Sequence, residues 1–413
     1  MREDFFLADT KKDKLISWDS LIQDINNTST YNVFCKTPDY YSIFKHIILS
    51  LVIRENIILL DSDFTNSELE TFLGFSRLNE YKRTIENKEF LPVQDKEDLL
   101  KRIRNVDDDW EITLFTSGTT GIPKKISHNI KTISRFVKTS DSNKYNIWGF
   151  AYNPTHMAGI QVFFQALLNG NFLVRLFGLK PSEIYDQIQK YEISHISATP
   201  TFYKLMLPCE NVFNSVLKIT SGGEKFNDQI IKKLSTIFPK ARTTNVYAST
   251  EAGSLFASEN NIFTINSSHT NLIKVLDDEL LIHNSLMGKS NLEVGEWYHT
   301  GDIVHVVSQE PLKFKFISRK SDMINVGGYN VNPLEIEEAI LSIDSVENAI
   351  VFSKSNSVLG SIIMSEVVCD SDKIKEAEIR SYLKTKLQDF KIPRIVKFVK
   401  ELSTTRTGKI KRK

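Results

Sequence analysis

The sequence is poor in cysteine, in net charge and in long apolar runs. Its 413 residues include three cysteines, Cys35, Cys209 and Cys369, which lie far apart without the spacing of metal ligands. An odd number leaves one thiol outside any disulfide framework, which suits a reducing compartment. The formal net charge is +1 at pH 7, so no overall field favours nucleic acid or an anionic membrane surface.

Apolar runs of membrane-spanning or signal-peptide length are also missing. The first ten residues, MREDFFLADT, lack the apolar stretch of a signal peptide. The most apolar segment, Ile47 to Ile53, is followed at once by Arg54 and Glu55, so it predicts a core helix. We therefore expect a soluble, cytoplasmic protein without a membrane span.

A Walker phosphate loop is absent, but another glycine-rich stretch, TSGTTGIPKK, runs from Thr116 to Lys125. Two residues separate Gly118 from Gly121, where a Walker loop needs four, and Lys124 follows Pro123. The small residues and hydroxyls let backbone amides and side chains converge on phosphate oxygens. The preceding EITLF predicts a buried strand that delivers the loop to a sheet edge. A surface turn rich in Gly, Ser and Thr is the alternative interpretation.

Length and pattern predict an α/β fold in two parts. With 41% hydrophobic residues the chain can bury large cores, and its length suggests two to three domains. Strands and helices alternate from Asn146 to Ser249, which predicts a mostly parallel sheet with helices on both faces. Short strands follow from about Asn271, and a compact α+β segment closes the chain. We place the boundary near Ser321, between a large N-terminal domain of residues 1–320 and a small C-terminal domain of residues 321–413.

Five motifs occur in a fixed order: TSGTTGIPK, NVYASTE, YHTGD, FISRKSDMINVGGYNVNPLEIEEAI and TTRTGKIKR. Together they resemble the core motifs of the adenylate-forming superfamily, which includes acyl- and aryl-CoA synthetases, firefly luciferase and the adenylation domains of peptide synthetases. The resemblance covers residues 111 to 413. It implies a large domain of mostly parallel sheets with a β-rich part, and a small mobile C-terminal domain.

The resemblance also implies the chemistry. A carboxylate attacks the α-phosphorus of ATP and forms acyl-AMP and pyrophosphate, and the acyl group then passes to a thiol. Because the nucleophile is already anionic, the reaction needs alignment and charge neutralisation instead of a general base. This agrees with the absence of any Ser/His/Asp or Cys/His constellation. The implied cofactors are ATP and Mg²⁺, with coenzyme A as co-substrate.

A nucleotide site follows from the motifs by resemblance. The phosphate loop would comprise Thr116, Ser117, Gly118, Thr119, Thr120, Gly121 and Lys124. A second loop, Gly222, Gly223 and Glu224, would close on the adenine, against which Tyr247 would lie. Asp302 would accept hydrogen bonds from the ribose hydroxyls, with Arg319 assisting.

Three residues carry the catalytic expectations of the resemblance. Thr250 would contact the α-phosphate, and Glu251 would hold Mg²⁺, a hard cation that prefers carboxylate oxygen. Lys409 would place its ammonium where negative charge builds up on the carboxylate and phosphate. Alone, each residue has a plainer interpretation, such as a cap, a turn or a basic tail, and only the ordered set outweighs it.

Further residues would serve the acid, the hinge and the thiol. His156 and Gly159 stand in NPTHMAG, near the start of a helix predicted over Thr155 to Leu168, and would form the acid pocket. A structural histidine is the alternative. Ser321 would lie in the hinge between two poses of the C-terminal domain. The glycine pair that follows, Gly327 and Gly328, would line a tunnel for the pantetheine arm, unless it is a plain turn.

The chain departs from the family pattern in three respects. Ala248 and Ser318 stand where glycine is usual, which would cost about 1 kcal/mol if either needs a positive φ. The region before the glycine-rich loop is short, so the wall of the acid site looks trimmed. This build resembles compact acyl- or aryl-CoA ligases such as o-succinylbenzoate-CoA ligase.

Three functions stay open. A carboxylic acid–CoA ligase accounts for all five motifs and the glycine pair. A stand-alone adenylation enzyme that loads a carrier protein is the second, and a nucleotide-binding scaffold without catalysis is the third. The expected partners are a small carboxylic acid, an acyl carrier protein under the second hypothesis, and no nucleic acid. A homodimer stays open as well.

Overall fold

The computed structural model describes residues 4–73, 85–86, 90–116, 124–222, 226, 228–265, 269–290, 295–326, 329–356, 360–369 and 374–403. The chain forms two compact units. Unit 1 comprises Met1–Thr199, Leu205–Asn260 and His283–Trp297, and unit 2 comprises Pro200–Lys204, Asn261–Ile282 and Tyr298–Lys413. No helix in the described part of the chain is long and apolar enough to cross a membrane.

The described helices are α1 Trp18–Asn26, α2 Tyr40–Ile53, α3 Asn66–Leu73, α4 Lys96–Arg104, α5 Ile130–Ser134, α6 Met157–Leu167, α7 Pro181–Tyr191, α8 Pro200–Leu205, α9 Asp228–Ile237, α10 Pro333–Leu341 and α11 Glu376–Lys384. The described strands are β1 Phe5–Asp9, β2 Lys14–Ser17, β3 Thr30–Tyr31, β4 Phe34–Lys36, β5 Ile57–Leu60, β6 Ile85–Glu86, β7 Glu111–Thr116, β8 Lys124–Asn129, β9 Ile147–Phe150, β10 Phe172–Arg175, β11 His195–Ala198, β12 Lys218–Gly222, β13 Arg242–Ser249, β14 Gly253–Ser258, β15 Phe263–Thr264, β16 Ile273–Leu276, β17 Glu279–His283, β18 Lys289–Ser290, β19 Trp297–Gln309, β20 Leu312–Arg319, β21 Ile324–Val326, β22 Tyr329–Val331, β23 Val346–Asn356, β24 Gly360–Cys369 and β25 Ile395–Phe398.

The large sheet of unit 1 has eight strands in the order β14-β13-β12-β11-β9-β10-β1-β2. The six inner strands run parallel, and β14 and β2 pair antiparallel at the two edges. This confirms the mostly parallel sheet predicted from the alternation of strands and helices. Short apolar strands such as β9 and β10 suit a sheet that is covered on both faces.

An aromatic core forms around helix α2, which Asp39 caps by accepting the Ser42 N–H at 2.9 Å. Phe44 of α2 is fully buried and stacks on Phe163 of α6, with ring centroids 4.4 Å apart. It also meets Phe150 of β9 edge-on at 5.3 Å. These contacts anchor α6 and the end of β9 to one core, and both elements flank the candidate site.

The N-terminal strand β1 was not predicted. Leu7 of β1 pairs in parallel with Leu173 of β10. At the end of the pair, buried Asp9 forms an ion pair with Arg175 at 2.9 Å, and the Arg175 guanidinium lies 3.8 Å from the Tyr40 ring centroid. The partner strand is remote in sequence, so a local pattern reading of FFLAD had no signal for it.

A second sheet of unit 1 has the order β18-β8-β7-β5-β4. Strands β4, β5 and β7 are parallel, whereas β8 returns antiparallel to β7. Strand β7 covers EITLF and so confirms the strand predicted before the glycine-rich loop. The loop therefore links two neighbouring strands of this sheet.

Unit 2 has a β-rich part and an α+β part. The first is a five-stranded sheet in the order β15-β20-β19-β17-β16, with antiparallel β19–β20 and β16–β17 pairs. The second has the three-stranded sheet β23-β24-β25, whose core includes Ile336 of α10, Val351 of β23 and Leu383 of α11. The change to a β-rich pattern and the closing α+β segment are thus confirmed, but the strand within EWYHTGDIVHVV, β19, is long, with 13 residues.

Candidate active site

The predicted site residues of unit 1 follow the carboxyl ends of parallel strands. Gly222 is the last residue of β12, and its register partner on β13 is Val246, next to Tyr247. Thr250 and Glu251 come directly after β13. Because the carboxyl ends of parallel strands share one edge of a sheet, these residues gather at the edge where α/β proteins bind ligands.

Thr250 and Glu251 lie in a tight turn between β13 and β14, which we call the 249–253 turn. Ser249 Oγ accepts the N–H of Ala252 at 3.1 Å within it. Gly253 closes the turn with φ +69°, a backbone conformation that favours glycine. The turn is thus specified by its own residues.

Three consecutive carbonyls of the 249–253 turn accept hydrogen bonds from other parts of unit 1. The pairs are Thr250 O with His128 Nε2 at 2.7 Å, Glu251 O with the Gly288 N–H at 2.7 Å, and Ala252 O with Arg135 Nη1 at 3.2 Å. The backbone that carries the Thr250 and Glu251 side chains is therefore fixed by hydrogen bonds to the carbonyls of Thr250, Glu251 and Ala252.

His128 lies on β8 and is 1% exposed. Burial lowers the pKa of His128 to about 4, so its ring is neutral near pH 7. A carbonyl oxygen can only accept, and therefore Nε2 carries the proton and donates to Thr250. His128 was missed by the sequence reasoning, because nothing local distinguishes it from any other polar residue of a strand.

Glu251 is half-buried at the sheet edge and fits the expected role as a carboxylate ligand of Mg²⁺. In the described ranges, no group of three or more His, Cys, Asp and Glu side chains could hold a metal by itself. A donor set of one carboxylate suits Mg²⁺, which is commonly bound by one or two carboxylates together with substrate phosphates.

The glycine-rich loop is described only at its two ends. Thr116 of β7 and Lys124 of β8 are register partners in the antiparallel pair. The predicted phosphate-binding residues between them, Ser117, Gly118, Thr119, Thr120 and Gly121, lie outside the described residues. So do Gly223, Glu224, Gly327, Gly328 and Lys409.

The loop that carries His156 is tied to Asp61, a second residue that the sequence reasoning missed. Asp61 follows β5 and is 7% exposed. Its carboxylate accepts a hydrogen bond from the Thr155 hydroxyl and one from Asn153 Nδ2 at 3.3 Å. His156 Nε2 lies 3.4 Å from Asp61 Oδ2. The sequence did contain a signal for Asp61, because an acidic residue directly after an apolar strand is a candidate functional residue.

Helix α6 begins at Met157, two residues later than predicted, and His156 is its N-cap residue. The preceding segment is held in a loop because Asn153 Oδ1 accepts the Thr155 N–H at 3.1 Å. Gly159, the other predicted acid-pocket residue, is in contact with the same loop. A Cβ added to Gly159 would lie 2.2 Å from the carbonyl oxygen of Asn153.

Replacing Gly159 with alanine is expected to lower the melting temperature by about 2–6 °C, because the backbone of the 153–156 loop must move to admit the methyl group. Differential scanning fluorimetry measures this. G295A is the matched control, since a Cβ on Gly295 meets no atom within 4 Å. Equal melting temperatures for G159A and the wild type would contradict the packing constraint.

The predicted ribose-binding pair lies in unit 2. Asp302 of β19 is 2% exposed, and Arg319 Nε of β20 donates to its Oδ1 at 2.8 Å. The Asp302 N–H donates to Thr300 Oγ1 at 3.0 Å. Glu279 Oε1 accepts the neighbouring Gly301 N–H at 2.9 Å, where φ is +71°. Hydrogen bonds from the N–H groups of Gly301 and Asp302 therefore fix the backbone that carries this carboxylate.

Two family models match the chain. The first, described as AMP-binding enzyme, matches residues 49–286, and the second, AMP-binding enzyme C-terminal domain, matches residues 335–409. The chain belongs to the AMP-binding enzyme family. The family predicted from the five motifs is thereby confirmed.

Curated relatives of this AMP-binding enzyme include two proteins of Staphylococcus epidermidis. A putative long chain fatty acid-CoA ligase, VraA, is 26% identical over 72% of this chain and 69% of its own length. A 2-succinylbenzoate–CoA ligase is 26% identical over 73% of this chain and 68% of its own length. The yeast Saccharomyces cerevisiae contributes an oxalate–CoA ligase, 27% identical over 74% of this chain and 62% of its own length.

Solved structures share the fold. The o-succinylbenzoate CoA synthetase MenE of Bacillus subtilis, in complex with its acyl-adenylate intermediate, has a TM-score of 0.70 at 17% identity and covers 98% of this chain and 94% of its own. ATP-bound MatB of Rhodopseudomonas palustris has a TM-score of 0.73 at 15% identity, with 99% and 94% covered. At these identities the likeness shows the fold alone, and it confirms the predicted fold class.

The departures of this AMP-binding enzyme from the usual glycines lie in strands. Ala248 pairs with Ser254 across β13 and β14, and Ser318 pairs with Ile303 across β19 and β20. Neither is among the positive-φ residues in the described part of the chain. The backbone penalty expected for a positive φ therefore does not apply to them. Ser321, the predicted hinge residue, is exposed in a short 3₁₀ turn, Lys320–Asp322.

Proposed function

We propose that the protein activates a carboxylic acid with ATP, releases pyrophosphate, and transfers the acyl group from acyl-AMP to the thiol of coenzyme A. One observation carries the proposal. The 249–253 turn, which bears Thr250 and Glu251 at the ligand edge of the large sheet, is hydrogen-bonded to β8, the strand on which the glycine-rich loop ends. This hydrogen bond links the turn that bears Thr250 and Glu251 to the strand that follows the glycine-rich loop, which supports the proposal.

In the first half-reaction the protein has to align two anions. The glycine-rich loop, from Thr116 to Lys124, holds the β- and γ-phosphates through backbone amides and hydroxyls. The Thr250 hydroxyl donates to the α-phosphate, and the held carbonyls of the 249–253 turn keep that hydroxyl in place. Lys409 adds positive charge where the carboxylate meets the phosphorus.

Glu251 would hold Mg²⁺, which when bound neutralises charge on the phosphates during the displacement. Tyr247 lies along the adenine, and Gly222, Gly223 and Glu224 close over the base. Gly222 sits close to its neighbour, since an added Cβ would lie 3.1 Å from Val246 O. Asp302 orients the ribose by accepting hydrogen bonds from its hydroxyls, while Arg319 supports the carboxylate at 2.8 Å.

The acid binds beside the 153–156 loop, with His156 and Gly159 as its walls. Asp61 keeps this loop in place through the Thr155 hydroxyl and Asn153. The same carboxylate lies 3.4 Å from His156 Nε2 through its Oδ2, so Asp61 supports both the loop and the histidine ring. This arrangement suits an acid whose tail packs against a histidine ring.

In the second half-reaction the C-terminal domain, residues 321–413, turns about Ser321 and withdraws Lys409. Residues 1–320 form the domain that stays in place. Gly327 and Gly328 then line the path of the pantetheine arm. The names of the relatives, which are coenzyme A ligases, support coenzyme A over a carrier protein as the acceptor.

The test is ATP-dependent pyrophosphate release across a panel of aliphatic, aryl and amino acids, with and without coenzyme A and with products identified by mass. The expected result is AMP, pyrophosphate and one acyl-CoA. If acyl-AMP accumulates and coenzyme A does not change its amount, coenzyme A is not the acceptor, and the thiol of a carrier protein takes its place in the proposal. No pyrophosphate from any acid would contradict adenylation itself.

A further inference from the structure

His128 joins two parts of the proposed nucleotide site that come from different sheets of unit 1. Its backbone belongs to β8, and its Nε2 donates to Thr250 O at 2.7 Å. Strand β8 begins at Lys124, the last of the predicted phosphate-binding residues in the glycine-rich loop. The hydrogen bond therefore runs from the strand of the phosphate loop to the turn that bears Thr250 and Glu251.

We propose that His128 is a positioning residue for nucleotide binding, which sets the 249–253 turn at a fixed distance from the end of the glycine-rich loop. Lys124 and His128 are four residues apart on one strand, so they lie about 13 Å apart on the same face. The inference rests on the proposed function, which assigns phosphate contacts to Lys124 and to Thr250, the residue that accepts the hydrogen bond from His128.

The ring of His128 is held in one orientation. A Cβ added to Gly288 would lie 2.5 Å from Cε1 of His128, so the chain passes directly against the imidazole. The Gly288 N–H in turn donates to Glu251 O at 2.7 Å. One short segment thus packs the ring and holds the residue next to its hydrogen-bond acceptor.

The chemistry of the ring favours a positioning role over a packing role. His128 Nδ1 is buried and has no hydrogen-bond partner among the described residues. A buried polar atom without a partner costs free energy, which an apolar side chain of similar size would avoid. If only packing mattered at this position, leucine would give a more stable protein than histidine. The function of His128 is therefore the hydrogen bond that its Nε2 donates to Thr250 O.

The experiment is isothermal titration of the full chain with MgATP, together with melting temperatures, for the wild type and three variants. H128L removes the donor, H128Q offers an amide N–H at a similar reach, and H128N offers one that is too short. We expect H128L and H128N to raise the Kd for MgATP about 10-fold, and H128Q to restore it to within about threefold of the wild type.

His195→Leu is the matched control. It also removes an imidazole from unit 1, a half-buried one. His195 is the first residue of β11, so it lies at the amino-terminal end of a parallel strand, whereas the 249–253 turn follows the carboxyl end of β13. We expect its Kd to stay at the wild-type value. A melting temperature of H128L close to that of the wild type separates lost positioning from lost folding, and H128N repeats the test should H128L not fold.

The outcomes are distinct. Wild-type affinity in H128L, or an equal loss in H128L and H128Q, overturns the positioning role while the proposed function stands. A wild-type chain that binds no MgATP overturns the proposed function and the inference with it. A loss in H128L and H128N that H128Q reverses supports the role of the Nε2 donor.

Discussion

Replacing Asp302 with alanine is expected to raise the Kd for AMP about 100-fold, which corresponds to about 3 kcal/mol. Asp302 is 2% exposed and is the only acceptor proposed here for the ribose hydroxyls. Its loss removes charge-assisted hydrogen bonds and leaves Arg319, which now donates to it at 2.8 Å, without this carboxylate. Isothermal titration with AMP measures the effect without any knowledge of the acid.

Two variants bracket this result. D302N keeps the shape and one acceptor, so its affinity is expected to fall between those of D302A and the wild type. Asp344→Ala removes an exposed carboxylate from the same unit and is expected to leave the Kd unchanged. Unaltered AMP binding in D302A would show that the ribose is bound elsewhere.

Replacing Lys409 with alanine is expected to slow acyl-AMP formation by about 10²–10³-fold, the usual loss when one charge-stabilising donor is removed from a transition state. Transfer from preformed acyl-AMP to coenzyme A is expected to stay within about threefold of the wild type, because the lysine acts in the first pose alone. Pyrophosphate release measures the first step, and thioester formation from added acyl-AMP measures the second.

The control is K411A, which removes the same charge two residues further along the basic tail. It is expected to leave both steps unchanged, since a tail that acts by general attraction would treat the two lysines alike. Equal slowing of both half-reactions in K409A would rule out the two-pose scheme, in which residues 321–413 present different groups in each step.

The parallel sheet and the strand before the glycine-rich loop were accessible from the sequence because their signals are local. Strands β9 to β13 alternate with helices along the chain, and β9 and β10 are short apolar runs. The glycine-rich loop directly follows another apolar run, EITLF. Tyr247, Thr250 and Glu251 were found by motif, and they lie in β13 or directly after it. Strand β1 escaped because its partner, β10, is remote in sequence.

The residues that support the site, His128 and Asp61, were not predicted from the sequence, for a different reason. His128 and Asp61 act on backbone and side chains that the fold brings to them, Thr250 O from 122 positions away and the Thr155 hydroxyl from 94. No periodicity or spacing within a strand records such a contact. The start of α6 was misplaced by two residues partly for the same reason, since Thr155 is held in the loop by Asn153 and by the remote Asp61.

The pairing of β1 with β10 also decides when β1 can join the large sheet during synthesis. Thr10 Oγ1 donates to Arg175 O across 165 positions of the chain. A growing chain leaves the ribosome from its N-terminus, so the apolar strand FFLAD emerges long before the strand that will cover its free edge. Until β10 arrives, β1 has its hairpin neighbour β2 as the only sheet partner among the described strands. Pairing of β1 with β10 is therefore a long-range step, and the apolar edge of β1 stays uncovered by β10 throughout that interval.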